Sequence, residues 1–416
     1  MTGDFRNMLY LFGCGALGKE ADKETCVNLK RIRELAISQN IWPVVYSAVR
    51  PLIEKGEVLL PPDVYSALEK TNFSNIAINI QKTEYTKEIL KKLSESGIEL
   101  CVLKGTTLSR LYAQPETRIS SDTDILIKRE DEARTSEFLK NNGYDVEERE
   151  AHEHHFCAKH KIGGVLEVHV DLLQRSVSDM AFYNKVEYNE PYITVENNIK
   201  ELGINDGLTY NAAHFIKHFV KKGAGVRHIM DLLLYMKQHE KDADMESFSM
   251  LMKELRYHRL IDVAKSVGAI YWGIDFEGFT PLEKSVVDEF LTDVEDGGVF
   301  GYDNSNRGYA YRIFSERRTS LSQNEFKKYS VNHFNKSVFR KIFPEAAYMV
   351  KIYPEIKQSK IKLFFFHFKR WYKLIKNLLS GKRNMQQYIY SKDENEKSVE
   401  AKQRIKLMEE LDIIDR

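Results

Sequence analysis

The sequence predicts an α+β protein, a mixed sheet of roughly five strands framed by N- and C-terminal helical regions. Three observations carry this expectation. Apolar runs of strand length, Leu100 to Leu103, Ile125-Leu126-Ile127 and Val165 to Val168, alternate with segments of helical period. Glycines stand where those segments should stop, at Gly97, Gly143 and Gly163-Gly164. After Asp171 the composition turns helical. At 416 residues the chain exceeds one small domain, and four regions are expected: helical 1–74, a sheet-bearing core 75–180, a helical domain 181–390 and a charged tail 391–416.

In the N-terminal region, Leu29 to Ala36 and Val44 to Ile53 have helical spacing, punctuated by Trp42-Pro43. Before them, Gly13-Cys14-Gly15-Ala16-Leu17-Gly18 fits the glycine pattern of a dinucleotide-binding turn and follows the apolar Met8 to Phe12. Such a turn requires a second strand ending in an acid about 20 residues on. No Asp or Glu occurs between Glu34 and Glu54, so a dinucleotide site is not expected. Pro61-Pro62-Asp63 then marks the start of a long helix reaching Ser96, with Leu68, Phe73, Ile76, Ile80, Tyr85, Ile89, Leu90 and Leu93 as its buried stripe.

The strand Leu100 to Leu103 runs into Lys104-Gly105-Thr106-Thr107, where glycine and short hydroxyl side chains let backbone N–H groups approach a phosphate at a helix N-terminus. Lys104 reads equally as a phosphate contact or as a side chain snorkelling from the strand end. Asp122 and Asp124 stand two apart on the lead-in to Ile125-Leu126-Ile127, so strand alternation points both to one face. Two such carboxylates repel, and a hard dication, Mg2+ being the natural candidate, neutralises them. Glu167 follows on the next acidic strand and shares its face with His169 and Asp171. Three carboxylates can hold two ions about 3.5–4 Å apart. Glu167 is preferred to Asp171, which lies about 13 Å further along an extended strand. Any one of these acids is an ordinary surface charge; their joint order on alternating strands and helices makes the constellation. Between the acidic strands, Glu130 to Asn142 reads as a helix and His154 to Lys159 as a strand. His152, His154, His155 and His160 lack a firm zinc spacing and are expected to be solvated or to face substrate.

At Leu103-Lys104-Gly105, Leu111-Tyr112, Arg118, Asp122-Thr123-Asp124-Ile125-Leu126 and Leu166-Glu167-Val168-His169 the sequence resembles the DNA polymerase β-like nucleotidyltransferase superfamily. Within that superfamily it is similar to a bacterial group of uncharacterised nucleotidyltransferases. A looser likeness, through Lys104-Gly105-Thr106-Thr107-Leu108 and the spacing of Arg118, Ser120, Asp122 and Asp124, runs to the AbiEii-type nucleotidyltransferase toxins. The resemblance implies a polymerase β-like core and transfer of a nucleoside monophosphate from a nucleoside triphosphate to an acceptor, with release of pyrophosphate. Asp122, Asp124 and Glu167 would bind two Mg2+ ions; Gly105 and Thr106 would hold the triphosphate, aided by Lys104 and Arg118. The alternative it leaves open is a catalytically silent nucleotide- or partner-binding module.

Further on, His214 and His218 lie one helical turn apart, and Arg227 and Asp231 repeat that spacing on the next helix. They are read as lining the cleft or, for the Arg–Asp pair, as joining helices. Helices are expected over Leu251 to Val267, Leu282 to Leu291 and Ser398 to Glu410, with a loop over Asp293 to Gly308. From Lys327 to Arg383, 15 Lys or Arg face two Glu and are interleaved with aromatics such as Phe364, Phe368 and Trp371. Such a segment can track a nucleic acid or lie on an anionic membrane. Its run Ile361 to Phe368 is apolar on nearly all sides, so burial is expected, with no tight nucleic-acid binding and at most weak membrane association. The formal net charge of +1 gives no global nucleic-acid signature. Four scattered cysteines fit a reducing cytoplasm, and no apolar run reaches the roughly 20 residues that span a bilayer. A soluble cytoplasmic protein is expected.

Overall fold

The computed structural model describes residues 1–147, 149, 153–173, 182, 192–196, 198–221, 223–298, 305–318 and 397–415. The chain divides into two units, Met1–Tyr311 with Arg404–Arg416, and Arg312–Gln403. Of the second, only 312–318 and 397–403 are described. The basic, aromatic stretch Lys327 to Arg383, with Phe343 to Pro354 inside it, lies outside the described residues.

Three helices open the chain: α1 (Gly3–Leu17), α2 (Leu29–Ser38) and α3 (Trp42–Glu54). The Thr2 hydroxyl caps α1 by accepting from the Phe5 N–H, and Gly18 ends it in the left-handed conformation. The glycines of the dinucleotide-like pattern therefore lie on a helix and its cap. A Cβ on Gly15 would sit 1.9 Å from the Val44 carbonyl oxygen, and one on Gly13 would sit 2.3 Å from the Trp272 ring. These glycines let α3 and an indole approach the backbone of α1, which is a packing role.

Helix α4 (Pro62–Glu95) delivers the chain to the sheet. Its buried face departs from the expected stripe. Leu68, Ile89, Leu90 and Leu93 are buried, but Phe73 and Ile80 are 49% and 46% exposed, while Asn72, Asn79 and Thr86 point inward. Asn79 and Thr86 win their positions by bonding to loops. Asn79 donates to the Glu116 carbonyl at 2.9 Å and Thr86 to that of Gly163 at 3.3 Å. Phe73 lies instead under the Arg50 guanidinium.

The sheet has seven strands where about five were expected: β1 (Leu100–Val102), β2 (Asp122–Ile127), β3 (Asp145–Val146), β4 (His155–His160), β5 (Gly164–His169), β6 (Ile193–Glu196) and β7 (Ile199–Glu201). A single-turn helix, α5 (Thr106–Ser109), follows β1. The strand order is β3-β4-β5-β2-β1-β7-β6. The pairs β2–β5 and β1–β7 are parallel and the others antiparallel, so the sheet is mixed. The two added strands at one edge carry the sheet past residue 180, to Glu201. β6 is exposed throughout, so it lacks the half-buried alternation that marks a strand in sequence.

Alternation fixes the two faces of the sheet. Leu100, Val102, Ile125, Ile127, Phe156, Ala158, Leu166 and Val168 form one core with Ile89, Leu90 and Leu93 of α4 and with Leu139 of α6 (Glu132–Asn141). The intervening residues, Asp122, Asp124, Glu167, His169 and His155, belong to the opposite face.

Beyond the sheet come α7 (Ile204–Lys221), α8 (Val226–Gln238), α9 (Met245–Glu254), α10 (His258–Val267), α11 (Lys284–Gly297), α12 (Ser305–Arg318) and α13 (Lys397–Glu410). The stretch Leu251 to Val267 is two helices broken at Arg256, whose φ is +58°. Much of the loop expected over Asp293 to Gly308 is helical, since α11 runs to Gly297 and α12 starts at Ser305; residues 299–304 lie outside the described set. Asp293 explains why α11 continues: its buried side chain pairs with Arg307 at 3.2 Å and with Arg404 of α13. Among the described residues no helix is long and apolar enough to cross a membrane. Cys14, Cys26, Cys101 and Cys157 are free thiols.

Candidate functional site

The register of two neighbouring parallel strands assembles the acidic wall. Asp124 pairs with Glu167 across β2 and β5, and Asp122 pairs with Val165. Asp124 is 1% exposed, whereas Asp122 is half-buried at the strand start. Ser120 and Ser121 orient Asp122: the Ser121 hydroxyl donates to Oδ1 at 3.2 Å and that of Ser120 to its carbonyl at 2.7 Å. Asp171 lies off this wall, paired with Arg129 at 2.6 Å.

Lys104 enters between the acids. Its Nζ is 3.2 Å from Asp124 Oδ2, 3.5 Å from Asp122 Oδ2 and 3.1 Å from His214 Nε2. Burial disfavours its charge, but Asp124, Asp122 and Glu167 outweigh that and raise its pKa. On Asp124 burial acts upward and is overcome by Lys104 and His169, which hold the carboxyl well below the usual range. His169 Nε2 is 3.2 Å from Asp124 Oδ1. Asp124 Oδ2, though ion-paired with Lys104, is buried without a hydrogen-bond partner.

Gly105 follows at φ +93°, ψ −99°, a conformation that disfavours any side chain although a Cβ there would meet only ordinary contacts. Arg118 stabilises this turn. Its Nη1 donates to the Gly105 carbonyl at 3.2 Å, while Nε and Nη2 bind both oxygens of Asp231 at 2.8 and 2.6 Å. The Tyr112 hydroxyl donates to the same Asp231 at 2.8 Å. Thr106 begins α5, a helix of only four residues. The cleft beside the acids is lined by Lys104, Arg118, Ser120, Ser121 and Asp122, with neither Gly105 nor Thr106 on its surface.

Its opposite wall comes from α7 and α8. His214, His218, Arg227, His228 and Asp231 line it. The three imidazoles contact one another, with ring centroids 4.3–5.5 Å apart. Burial, then neighbouring charges, drives their pKa values down, that of His228 to about 3, so they are neutral. Arg227 donates to the Ile119 carbonyl, its Nε has no hydrogen-bond partner, and no described carboxylate forms a salt bridge with it. Burial and the neighbouring Arg118 charge lower its pKa.

The sequence singled out Lys104, Arg118, Asp122, Asp124, Glu167, His214, His218, Arg227 and Asp231, and these residues surround one region of the molecule. It gave Ser120 only a place in the spacing with Arg118, Asp122 and Asp124, and it missed Ser121 and His228. The serines adjoin the D-x-D pair, which was the available signal. His228 had none, because only the crossing of α7 and α8 brings it to His214. The histidines near β4 also differ from expectation. His154 is 4% exposed and His155 half-buried, and both meet His169 of β5. His160 is taken up elsewhere, stacked on Tyr85 at 4.4 Å and accepting from the Ile162 and Gly163 N–H groups. His152 lies outside the described residues.

Comparison with known proteins finds no match among curated proteins and none among solved structures. Residues 25–265 match the family described as uncharacterised nucleotidyltransferase, a span holding the acidic wall, the Lys104 turn and the α7–α8 wall. Since that span is more than half of the 416 residues, the chain belongs to this family of nucleotidyltransferases.

Proposed function

We propose that the protein is a Mg2+-dependent nucleotidyltransferase of the polymerase β-like superfamily that moves a nucleoside monophosphate from a nucleoside triphosphate to a hydroxyl or phosphate acceptor, releasing pyrophosphate. One observation carries this reading: the Lys104 ammonium meets Asp122 and Asp124, with Glu167 paired beside Asp124 on the next strand, at a cleft lined by Lys104, Asp122, Arg227 and three neutral histidines.

The acids fit hard dications. Their donors are carboxylate oxygens, and Asp124 Oδ2 is buried and short of a hydrogen bond. Asp122, Asp124 and Glu167 would hold the ions, two by the resemblance. Bound there, Mg2+ would supply charge neutralisation at the reacting phosphate and activation of the acceptor oxygen.

The chain's own groups do the rest by positioning and electrostatics. Lys104, kept charged by the acids, would offer its ammonium to the phosphate chain. Arg227 offers an unpaired guanidinium edge to the same chain. Arg118 acts indirectly, fixing the Gly105 turn and thereby Lys104. Gly105 and Thr106 contribute through that turn rather than as a long phosphate-binding helix. His169 holds Asp124 in one orientation, and one of the carboxylates accepts the acceptor's proton.

The acceptor class remains a small molecule, glycan, protein or tRNA, with no tight nucleic-acid binding, at most weak membrane association, and a cytoplasmic setting supported by the free thiols. Incubation with labelled nucleoside triphosphates, Mg2+ and cell extract should give labelled product that falls on the order of 10²–10³-fold in Asp124→Asn. Nucleotide binding without transfer would establish the silent-module reading instead.

A further inference from the structure

Behind the carboxylates, His169 shares β5 with Glu167 and meets two histidines of the neighbouring segment that the transfer reaction does not use. His155 opens β4 and pairs in register with His169 on β5, and His154 precedes it. One potential donor atom from each of the three lies within 4.8 Å of the others. His155 Nδ1 is 3.2 and 3.3 Å from the two ring nitrogens of His154.

His169 supplies the independent observation. It is 3% exposed, its Nε2 faces Asp124 Oδ1 at 3.2 Å, and its Nδ1 is buried with no hydrogen-bond partner. A neutral histidine that gives one ring N–H to a carboxylate keeps a lone pair on the other nitrogen, and a metal arriving there would displace any proton that Nδ1 holds. That carboxylate–histidine arrangement is the usual support of a metal-binding imidazole. The second trio, His214, His218 and His228, fails the same test. His228 Nδ1 accepts from the Gly225 N–H, which puts the proton on Nε2 and leaves no free lone pair, and the Lys104 ammonium stands 3.1 Å from His214.

We propose that His154, His155 and His169 form a site for a transition-metal dication, Zn2+ by ligand type, distinct from the Mg2+ positions and linked to them through Asp124. It clamps β4 to β5 and fixes the Asp124 carboxylate from behind. The site stands on its own ligands, so it does not depend on the transferase reading.

The test starts from full-length protein dialysed against chelator. Titration with Zn2+ in excess Mg2+, followed by metal analysis, should give one tightly held ion per chain. Co2+ in its place should show the intense d–d bands of a tetrahedral centre. His155→Cys and His154→Cys should each retain Co2+ and add a thiolate-to-metal charge-transfer band, which a merely structural histidine would not produce. Asp124→Asn should weaken Zn2+ about 10–100-fold. His160→Gln and His218→Gln should leave binding unchanged. Failure to bind Zn2+ in the presence of Mg2+, absence of the new band in both folded cysteine variants, or loss of binding in His218→Gln would overturn the proposal. Label transfer with Mg2+ is measured separately, so failure of the zinc site and failure of the transferase reading are told apart.

Discussion

Two buried ion pairs border the same cleft and differ in how completely they are satisfied. Arg118 and Asp231 meet through two bonds of 2.6 and 2.8 Å, and the Tyr112 hydroxyl and the Gly105 carbonyl add one bond each. Lys104 reaches Asp124 and Asp122 at 3.2 and 3.5 Å, and one Asp124 oxygen has no hydrogen bond. A buried pair joined by two close bonds and braced by further partners holds structure together, because removing either partner strands the other charge. A pair held loosely around a point charge keeps spare capacity for a ligand. The first pair is the frame and the second the working part.

The largest expected effect breaks the frame. Asp231→Ala leaves Arg118 buried and unpaired and should cost about 3–5 kcal/mol of stability, measured by urea unfolding; a neutral result would dissolve the contrast. Next, Lys104→Met should separate stability from activity, lowering label transfer on the order of 10²-fold while costing about 1–2 kcal/mol. Equal losses of stability in the two variants would mean that both pairs are frame.

The histidines behind Lys104 add a pH dependence. His228 is held neutral, its folded pKa near 3 lying below the ordinary 6.5, because of burial and then the Arg227 charge. A depressed histidine pKa means that the unfolded chain binds the extra proton. Its contribution is therefore complete above pH 6.5 and declines as pH falls toward 3, by about 1.4 kcal/mol per unit. Unfolding at pH 7 and pH 5 should differ by about 2 kcal/mol from this residue, and His228→Gln should flatten the slope. Smallest of all, Phe73→Ser removes a half-exposed ring that lies under the Arg50 guanidinium and should cost about 1 kcal/mol of stability while leaving transfer intact.

Much of this contrast is legible in the amino-acid sequence. Period-2 alternation puts Asp122 and Asp124 on one face of their strand and Glu167 opposite its apolar neighbours Leu166 and Val168, and helical spacing puts Arg227 beside Asp231. What alternation cannot supply is the neighbour. That Arg118 closes on Asp231, that His169 faces Asp124, and that His154 and His155 join it all depend on which strands and helices lie side by side. Local composition also misled where side chains had two options. Phe73 and Ile80 fit the apolar stripe of α4, but Asn79 and Thr86 could bond to loop carbonyls and took the inner face. The glycines of α1 match a nucleotide-binding pattern letter for letter and serve helix packing, whereas the less regular Lys104-Gly105 turn borders the cleft.

The position of β2 and β5 inside the sheet has a consequence for exchange of backbone hydrogens. Both strands are paired on either side, and Ile125 and Val168, the pair next to Asp124 and Glu167, are wholly excluded from solvent. Their amides should exchange only through openings that approach global unfolding, while those of the exposed edge strand β6 exchange through local fluctuation. The spacing of Asp124 and Glu167 would then persist for as long as the molecule stays folded, and the edges of the sheet could change without disturbing it.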